Sequence, residues 1–259
     1  TPLPLFMPNA KYSQSLSTQV TFADHQYNND VNYSEPSTMN QHLRNNKRGF
    51  GSRTANNARN HSLEWIANYS ISIKNHNLRA MAGYSYQYWQ NSGFSCENYD
   101  FANDGIGADN IGSGDGMKEE GEIGMSSYKE DNKLIAFFGR ISYDYDGRYM
   151  FTASMRHEGS SKFGKNHKWG NFPAVSAGWR ISKEKFMEGT SSWLNDLKIR
   201  ADFGVTGNQE FGNYLSLDTM GPFGYSYYNG QWIRVWGPGK NVNSDLHWEQ
   251  GKNWNVGLD

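Results

Sequence analysis

Cys96 is the only cysteine in the 259 residues, so no internal disulfide can staple the fold. No apolar run approaches the roughly 18–20 residues that a membrane-crossing helix needs. With only 36% hydrophobic residues, the chain is too polar for a helical membrane protein. Neither sign of charge dominates: 25 Lys and Arg stand against 26 Asp and Glu, a net charge of -1. That balance offers no basic surface for nucleic acid. The sequence begins at Thr1 and not at Met; no signal peptide is expected within it, and for an exported protein the N-terminus is expected to be missing.

What the chain has in quantity is aromatic side chains, 15% of the total, together with 28 Gly. Disordered chains are poor in aromatics, so this one folds. High Tyr, Trp, Gly and Asn with low mean hydropathy suits two classes. One is a soluble β-protein that binds glycans. The other is a membrane β-barrel, whose apolar residues fill alternate positions only.

Alternation is plainest over 63–88. Leu63, Trp65, Ala67, Tyr69, Ile71 and Ile73 interleave with a mainly polar set, and Asn75–Asn77 reads as a turn. Leu78, Ala80, Ala82, Tyr84, Tyr86 and Tyr88 then share a face. The pattern recurs with Ile135, Phe137, Gly139, Ile141, Tyr143 and Tyr145, then an Asp146-Gly147 turn, then Tyr149, Phe151, Ala153 and Met155. Val175, Ala177, Trp179 and Ile181 predict a further strand, followed by a helical turn near Lys183–Met187. Leu197, Ile199, Ala201, Phe203 and Val205 predict the next. Weaker strands are expected near Leu16–Phe22 and Trp254–Leu258.

Short turns at 75–77 and 146–148 alternate with long loops at 25–60, 90–132, 158–170 and 207–250. This asymmetry is expected of an outer-membrane barrel with periplasmic turns and extracellular loops. Tyrosines crowd the 146–147 turn, and Tyr84, Tyr86 and Tyr88 are expected at the far end of their strand, as at two membrane interfaces. A soluble sandwich with aromatic cross-strand pairs stays open on this evidence.

Catalytic motifs are weak. His157-Glu158 begins like a zinc-protease helix, but Ser161 stands where the second His belongs. The seven His lack metal-ligand spacing. Gly112, Gly114 and Gly116 are not followed by the Lys-Ser/Thr of a phosphate loop. The acidic segment 93–131 has oxygen ligands for calcium but not their ordered spacing, and reads as a solvated loop. No enzyme activity and no cofactor are expected. Candidate substrate contacts are the loop aromatics Tyr225, Tyr227, Tyr228, Trp232 and Trp236, whose rings could stack on sugars or pack under a partner. Arg140, Arg156, Arg180 and Arg200 fall on polar strand faces, where a barrel would turn them toward its lumen.

The order of motifs is more specific. Arg156-His157-Glu158-Gly159-Ser160-Ser161-Lys162-Phe163 precedes Phe172-Pro173-Ala174-Val175-Ser176-Ala177-Gly178-Trp179-Arg180-Ile181. Glu184-Lys185-Phe186, Leu197-Lys198-Ile199-Arg200, Gly204-Val205-Thr206-Gly207-Asn208, Leu246-His247-Trp248-Glu249 and Asn255-Val256-Gly257-Leu258-Asp259 follow. The series resembles the SusC/RagA family of TonB-linked outer-membrane proteins, densely over 63–259. Glu158 stands where that family usually has Asp, and Lys162 where Arg is common; both keep the charge.

The resemblance implies an all-β, antiparallel transmembrane barrel segment of about eight strands. All of 1–259 is expected to be barrel, without TonB box, plug or N-terminal carboxypeptidase-like domain, so an interior piece of the wall. It further implies import of oligosaccharides or peptides across the outer membrane. The implied partners are a SusD-like lipoprotein lid, the TonB–ExbB–ExbD complex acting through a plug, and outer-membrane lipid. A small eight-stranded barrel acting as anchor or adhesin, and a soluble glycan-binding or glycan-cleaving sandwich, are the alternatives.

Overall fold

The computed structural model describes residues 12–38, 49–120, 123–190, 192–239 and 242–259. Hairpin turns organise it. Asp146 and Gly147 both take positive φ (57° and 58°), and Arg148 N–H closes the turn onto the Tyr145 carbonyl at 2.8 Å. Such a pair of left-handed residues matches the twist of antiparallel strands. The first turn lies one residue earlier than expected, at Lys74-Asn75, with Lys74 at φ 54°; His76 and Asn77 already belong to the next strand.

Among the described residues ten strands result: β1 Tyr12–Glu35, β2 Phe50–Ile73, β3 His76–Tyr99, β4 Met125–Tyr145, β5 Tyr149–Ser160, β6 Trp169–Arg180, β7 Lys198–Asn208, β8 Met220–Tyr228, β9 Gln231–Pro238 and β10 Glu249–Leu258. Eight form one antiparallel sheet in the order β1-β2-β3-β4-β5-β6-β7-β10, and β8-β9 form a separate hairpin. A sandwich would need two packed sheets, and a complete small barrel would need β1 to pair with β10. Neither is found among the described residues, where the eight-stranded sheet is open, with β1 and β10 as its edges.

Three expected loops are corrected. Strand pairing consumes most of 25–60 and 90–99, because β1, β2 and β3 each run 24 residues. That is roughly 80 Å of extended chain, against the 9–11 residues one bilayer crossing takes. Tyr84–Tyr88 therefore lie inside β3 and not at its end. The segment 207–250 contains the β8-β9 hairpin. The helical turn near Lys183–Met187 is two short 3-10 turns, Ile181–Lys183 and Lys185–Thr190.

By compactness the chain divides into two units. The first is 1–22, 62–87 and 133–259; the second is 23–61 and 88–132. The second unit has its own small core of Tyr99, Phe101, Ala108 and Met117. Asn98 organises it: Nδ2 donates to the carbonyls of Ile111 (2.9 Å) and Gly114 (2.7 Å), and Oδ1 accepts from the N–H of Tyr99 and Met117. The acidic segment thus carries a 3-10 turn, Gly107–Ser113, and a short helix, Gly116–Glu120. Asp104 accepts hydrogen bonds from Ser37 N–H (2.6 Å) and Oγ (3.0 Å). Among the described residues no three His, Cys, Asp or Glu side chains converge as a metal site.

Candidate functional site: a two-faced wall and its loop cluster

Register in the first unit places the alternating residues in rows. Ile141, Ala153, Val175, Phe203 and Trp254 stand opposite one another across β4, β5, β6, β7 and β10. Tyr143, Phe151, Ala177, Ala201 and Val256 form the next row, and Tyr145, Tyr149, Trp179, Ile199 and Leu258 the one nearest the short turns. These apolar side chains are the exposed ones: Ile141 54%, Phe151 48%, Trp254 77%. The polar set between them, Ser142, Thr152, Ser154 and Ser176, is half-buried. A water-soluble sheet buries its apolar face; this sheet is the reverse, as lipid requires.

Aromatic rings bracket the apolar rows. Toward the short turns, His76 Nδ1 lies 2.7 Å from Tyr143 Oη, and His76, Tyr145 and Tyr149 pack in sequence at 4.8 and 6.3 Å. Toward the loops, Tyr84, Phe137, Trp169 and His157 pack at 5.3, 6.4 and 4.6 Å. Trp169 and Trp179 are ten residues apart on β6, roughly 33 Å along the strand. At a tilt near 45° that is about 23 Å of height, close to the roughly 25 Å apolar band of an outer-membrane barrel.

The turn-side girdle is anchored by Glu184. Tyr149 Oη (2.6 Å) and Trp179 Nε1 (3.0 Å) donate to Oε1, and Arg148 Nη1 lies 3.4 Å from Oε2. The hydrogen bonds from Tyr149 and Trp179, then the charge of Arg148, hold this carboxyl below the ordinary carboxylate range. The sequence showed Glu184 only as part of a motif; its partners lie 5, 35 and 36 positions away.

The four arginines all stand on the polar face but differ in company. Arg156 makes a bidentate pair with Glu158 (2.6 and 3.0 Å) and covers the Phe138 ring at 5.5 Å. Arg180 pairs with Asp196 (3.2 Å) and Arg200 with Asp259 (3.4 Å). Arg140 has no acidic partner among the described residues. It is exposed and borders two recesses of about 300 and 250 Å³, one with Asn68, Arg79 and Ser142, the other with Thr152, Ser176 and Asp202.

Most of the sequence motif gathers at the loop end of β5, β6, β7 and β10. Phe163, 1% exposed, packs between Phe211 (6.0 Å) and Trp248 (4.8 Å), and Trp248 meets Phe172 edge-on at 5.1 Å. Trp248 Nε1 donates to the Lys168 carbonyl at 3.0 Å. Gly207 admits the Phe172 ring, since a β-carbon there would stand 2.2 Å from it; Gly159 does the same for Trp169 at 2.8 Å. Ser160 N–H donates to the Lys168 carbonyl, Ser161 N–H donates to the Lys133 carbonyl, and Lys133 N–H donates to Ser161 Oγ. Asn208 Nδ2 donates to Glu249 Oε2 at 3.0 Å. Pro173, Gly204 and Thr206 stay in the wall, and Trp179 lies at the opposite girdle. Phe211 and Ser216 join the cluster without any pattern in the sequence announcing them.

Of the loop aromatics, Tyr225, Tyr227, Trp232 and Trp236 share one face of the β8-β9 hairpin with Arg234, and each ring is more than half exposed. Tyr227 and Trp232 are edge-on at 5.4 Å. Tyr228, paired with Gln231, points to the other face.

An open antiparallel meander, apolar on its exposed face, polar on the other and bracketed by aromatic rings, is a stretch of membrane β-barrel wall. Residues 5–259 match the family described as TonB dependent receptor-like, beta-barrel. TonB-dependent receptor P39 of Formosa agariphila is 36% identical over 178 residues, 68% of this chain and 16% of that protein. TonB-dependent receptor SusC of Bacteroides thetaiotaomicron is 38% identical over 144 residues, 52% of this chain and 14% of that protein. The chain spans a fifth or less of the curated relatives it matches. Two solved structures, of the RagAB peptide transporter and of the RagAB peptide importer in its "closed-closed" state, share the fold, with TM-scores of 0.79 and 0.78. Each is 23% identical, and the match covers 94% of this chain and 26% of that chain. The chain belongs to the TonB-dependent receptor β-barrel family. Proteins of this family reside in the outer membrane and are transporters.

Proposed function

We propose that the protein carrying this chain imports oligosaccharides or peptides across the outer membrane, and that the chain is part of the wall of its barrel. The two-faced sheet carries the reading: large apolar side chains stand exposed on one face and polar ones occupy the other, where Arg140, with no acidic partner among the described residues, borders two recesses. In a closed barrel that polar face lines the lumen, where Arg140 would meet a substrate or an internal plug. The family relationship supports energy supply by TonB–ExbB–ExbD and a SusD-like lipoprotein over the loops. The aromatic face of β8-β9 would contact the substrate from outside. Ring faces stack on sugars and on peptide side chains alike.

Deleting the gene in its host and measuring growth on a panel of oligosaccharides and peptides tests the reading. At least one such nutrient should cease to support growth, and Arg140→Ala should slow its uptake with an unchanged amount of protein in the outer membrane. Unchanged growth on every nutrient, or recovery of the full-length protein in the soluble fraction after carbonate washing, overturns it.

A further inference from the structure

The β5-β6 connection touches both roots of the long excursion that leaves β7 and returns to β10. On the outgoing root, 209–219, Lys162 Nζ donates to the Gln209 carbonyl (3.4 Å), the Lys162 carbonyl accepts from Ser216 Oγ (3.0 Å), and Phe211 packs on Phe163. On the returning root, 242–248, Gly164 N–H donates to the Leu246 carbonyl (3.1 Å) and Trp248 packs on Phe163. Gly164 leaves no room for a side chain: a β-carbon there would fall 1.9 Å from the Ser244 carbonyl oxygen. The roots also meet each other, through Asn243 N–H and the Leu215 carbonyl at 3.1 Å. Between them rises β8-β9, paired with no other strand among the described residues, its aromatic face exposed.

A lone two-stranded hairpin is marginally stable in water, and a contact surface on a swinging arm loses affinity to the entropy of holding it still. From this geometry we infer that the motif segment 158–168 is a pin. Its Phe163 side chain clamps both roots of the excursion and fixes where the β8-β9 arm is displayed. Phe163, Ser216 and Gly164 are positioning residues for that arm. The inference stands apart from the identity of the cargo, because its test reads the arm directly.

The test uses full-length protein in outer-membrane vesicles, with Cys96→Ser as background. One spin label is placed through Gln231→Cys on the arm, and a second, separately, through Ala102→Cys in the second unit. Phe163→Ala should mobilise the label at 231 and leave that at 102 unchanged. It should also speed proteolytic cleavage within 209–248 at least about tenfold, since cleavage follows the population of the opened form. Phe163→Leu should restore most of the immobility. Equal mobilisation of both labels, or no change at 231, overturns the pin. If Phe163→Ala does not reach the membrane, Ser216→Ala carries the same comparison: a smaller mobilisation confined to 231 supports the pin, and none overturns it.

Discussion

Glu184 shows how much one carboxylate can hold at a membrane edge. Its Oε1 accepts from Tyr149 on β5 and Trp179 on β6, so the girdle rings of two strands share one anchor. The bonds favour the ionised form, which lowers the folded pKa below its unfolded value. A group shifted in that direction adds stability above its unfolded pKa, near about 4.3 for Glu, and loses it as pH falls through the folded value. The melting temperature of the folded full-length barrel, read by heat-modifiable gel mobility, should therefore drop on acidification more in the wild type than in Glu184→Gln. The variant should start lower at neutral pH and lose less. Parallel pH profiles would show that Glu184 is not the titrating anchor. The sequence marks this Glu as part of a motif but not as an anchor, because strands β5 and β6 bring its partners together.

At the scale of elements, strands were legible where alternation was apolar against polar. β5 and β7 and the turn-side ends of β4 and β6 sit within a few residues of the reading, because Ile141, Phe151, Val175 and Phe203 must all reach one face; at the loop end β4 starts at Met125, ten residues before Ile135, and β6 at Trp169, six before Val175. The distal parts of β1 and β2 were read as loop because Asn28, Asn29, Asp30 and Asn57 have little intrinsic preference for strands. They pair there all the same, and side-chain contacts add to the backbone ladder: Arg53 Nε donates to Asn32 Oδ1 at 3.1 Å, and Asn57 donates to Asn28. The β8-β9 hairpin did carry a signal. Asn229-Gly230 lies between alternating aromatics and takes φ 49° and 78°, the pair of left-handed residues that two-residue hairpins use. The pin was legible as a motif but not as a contact, since Phe211 and Ser216 reach Phe163 and Lys162 from some fifty positions away. Hairpin geometry also predicts a substitution effect. Gly147 sits at φ 58°, and a β-carbon there would stand 2.8 Å from Lys183 Nζ. Left-handed backbone costs a residue with a β-carbon about 1–2 kcal/mol. Gly147→Val should lower the urea-unfolding free energy of the reconstituted full-length barrel by roughly that amount. Gly178→Ala, in the extended backbone of β6, should cost less; equal losses would mean that turn geometry is not what Gly147 supplies.

For the whole molecule, the decisive property is which face meets lipid, and two neighbouring residues can report it. Val175 and Ser176 are consecutive on β6 and point to opposite sides. Val175 stands in the row of Ala153 and Phe203, while Ser176 stands between Thr152 and Asp202. The Val175 row lies between the two aromatic girdles, near the middle of the apolar band. A lysine on a lipid-facing position near the bilayer midplane costs about 2–4 kcal/mol, while lumen positions tolerate charge. Val175→Lys in the full-length protein should therefore lose that much unfolding free energy in lipid vesicles, and Ser176→Lys much less. In a soluble β-protein Val175, 44% exposed, would be a surface residue, and a lysine there would change little. The same pair of variants thus separates lipid contact from mere exposure. A neutral Val175→Lys would refute the wall assignment of this face, whatever the transport assays show. A costly Val175→Lys beside a tolerated Ser176→Lys would fix the lumen on the side of Arg140, Asp202 and Asn255, where any cargo must pass.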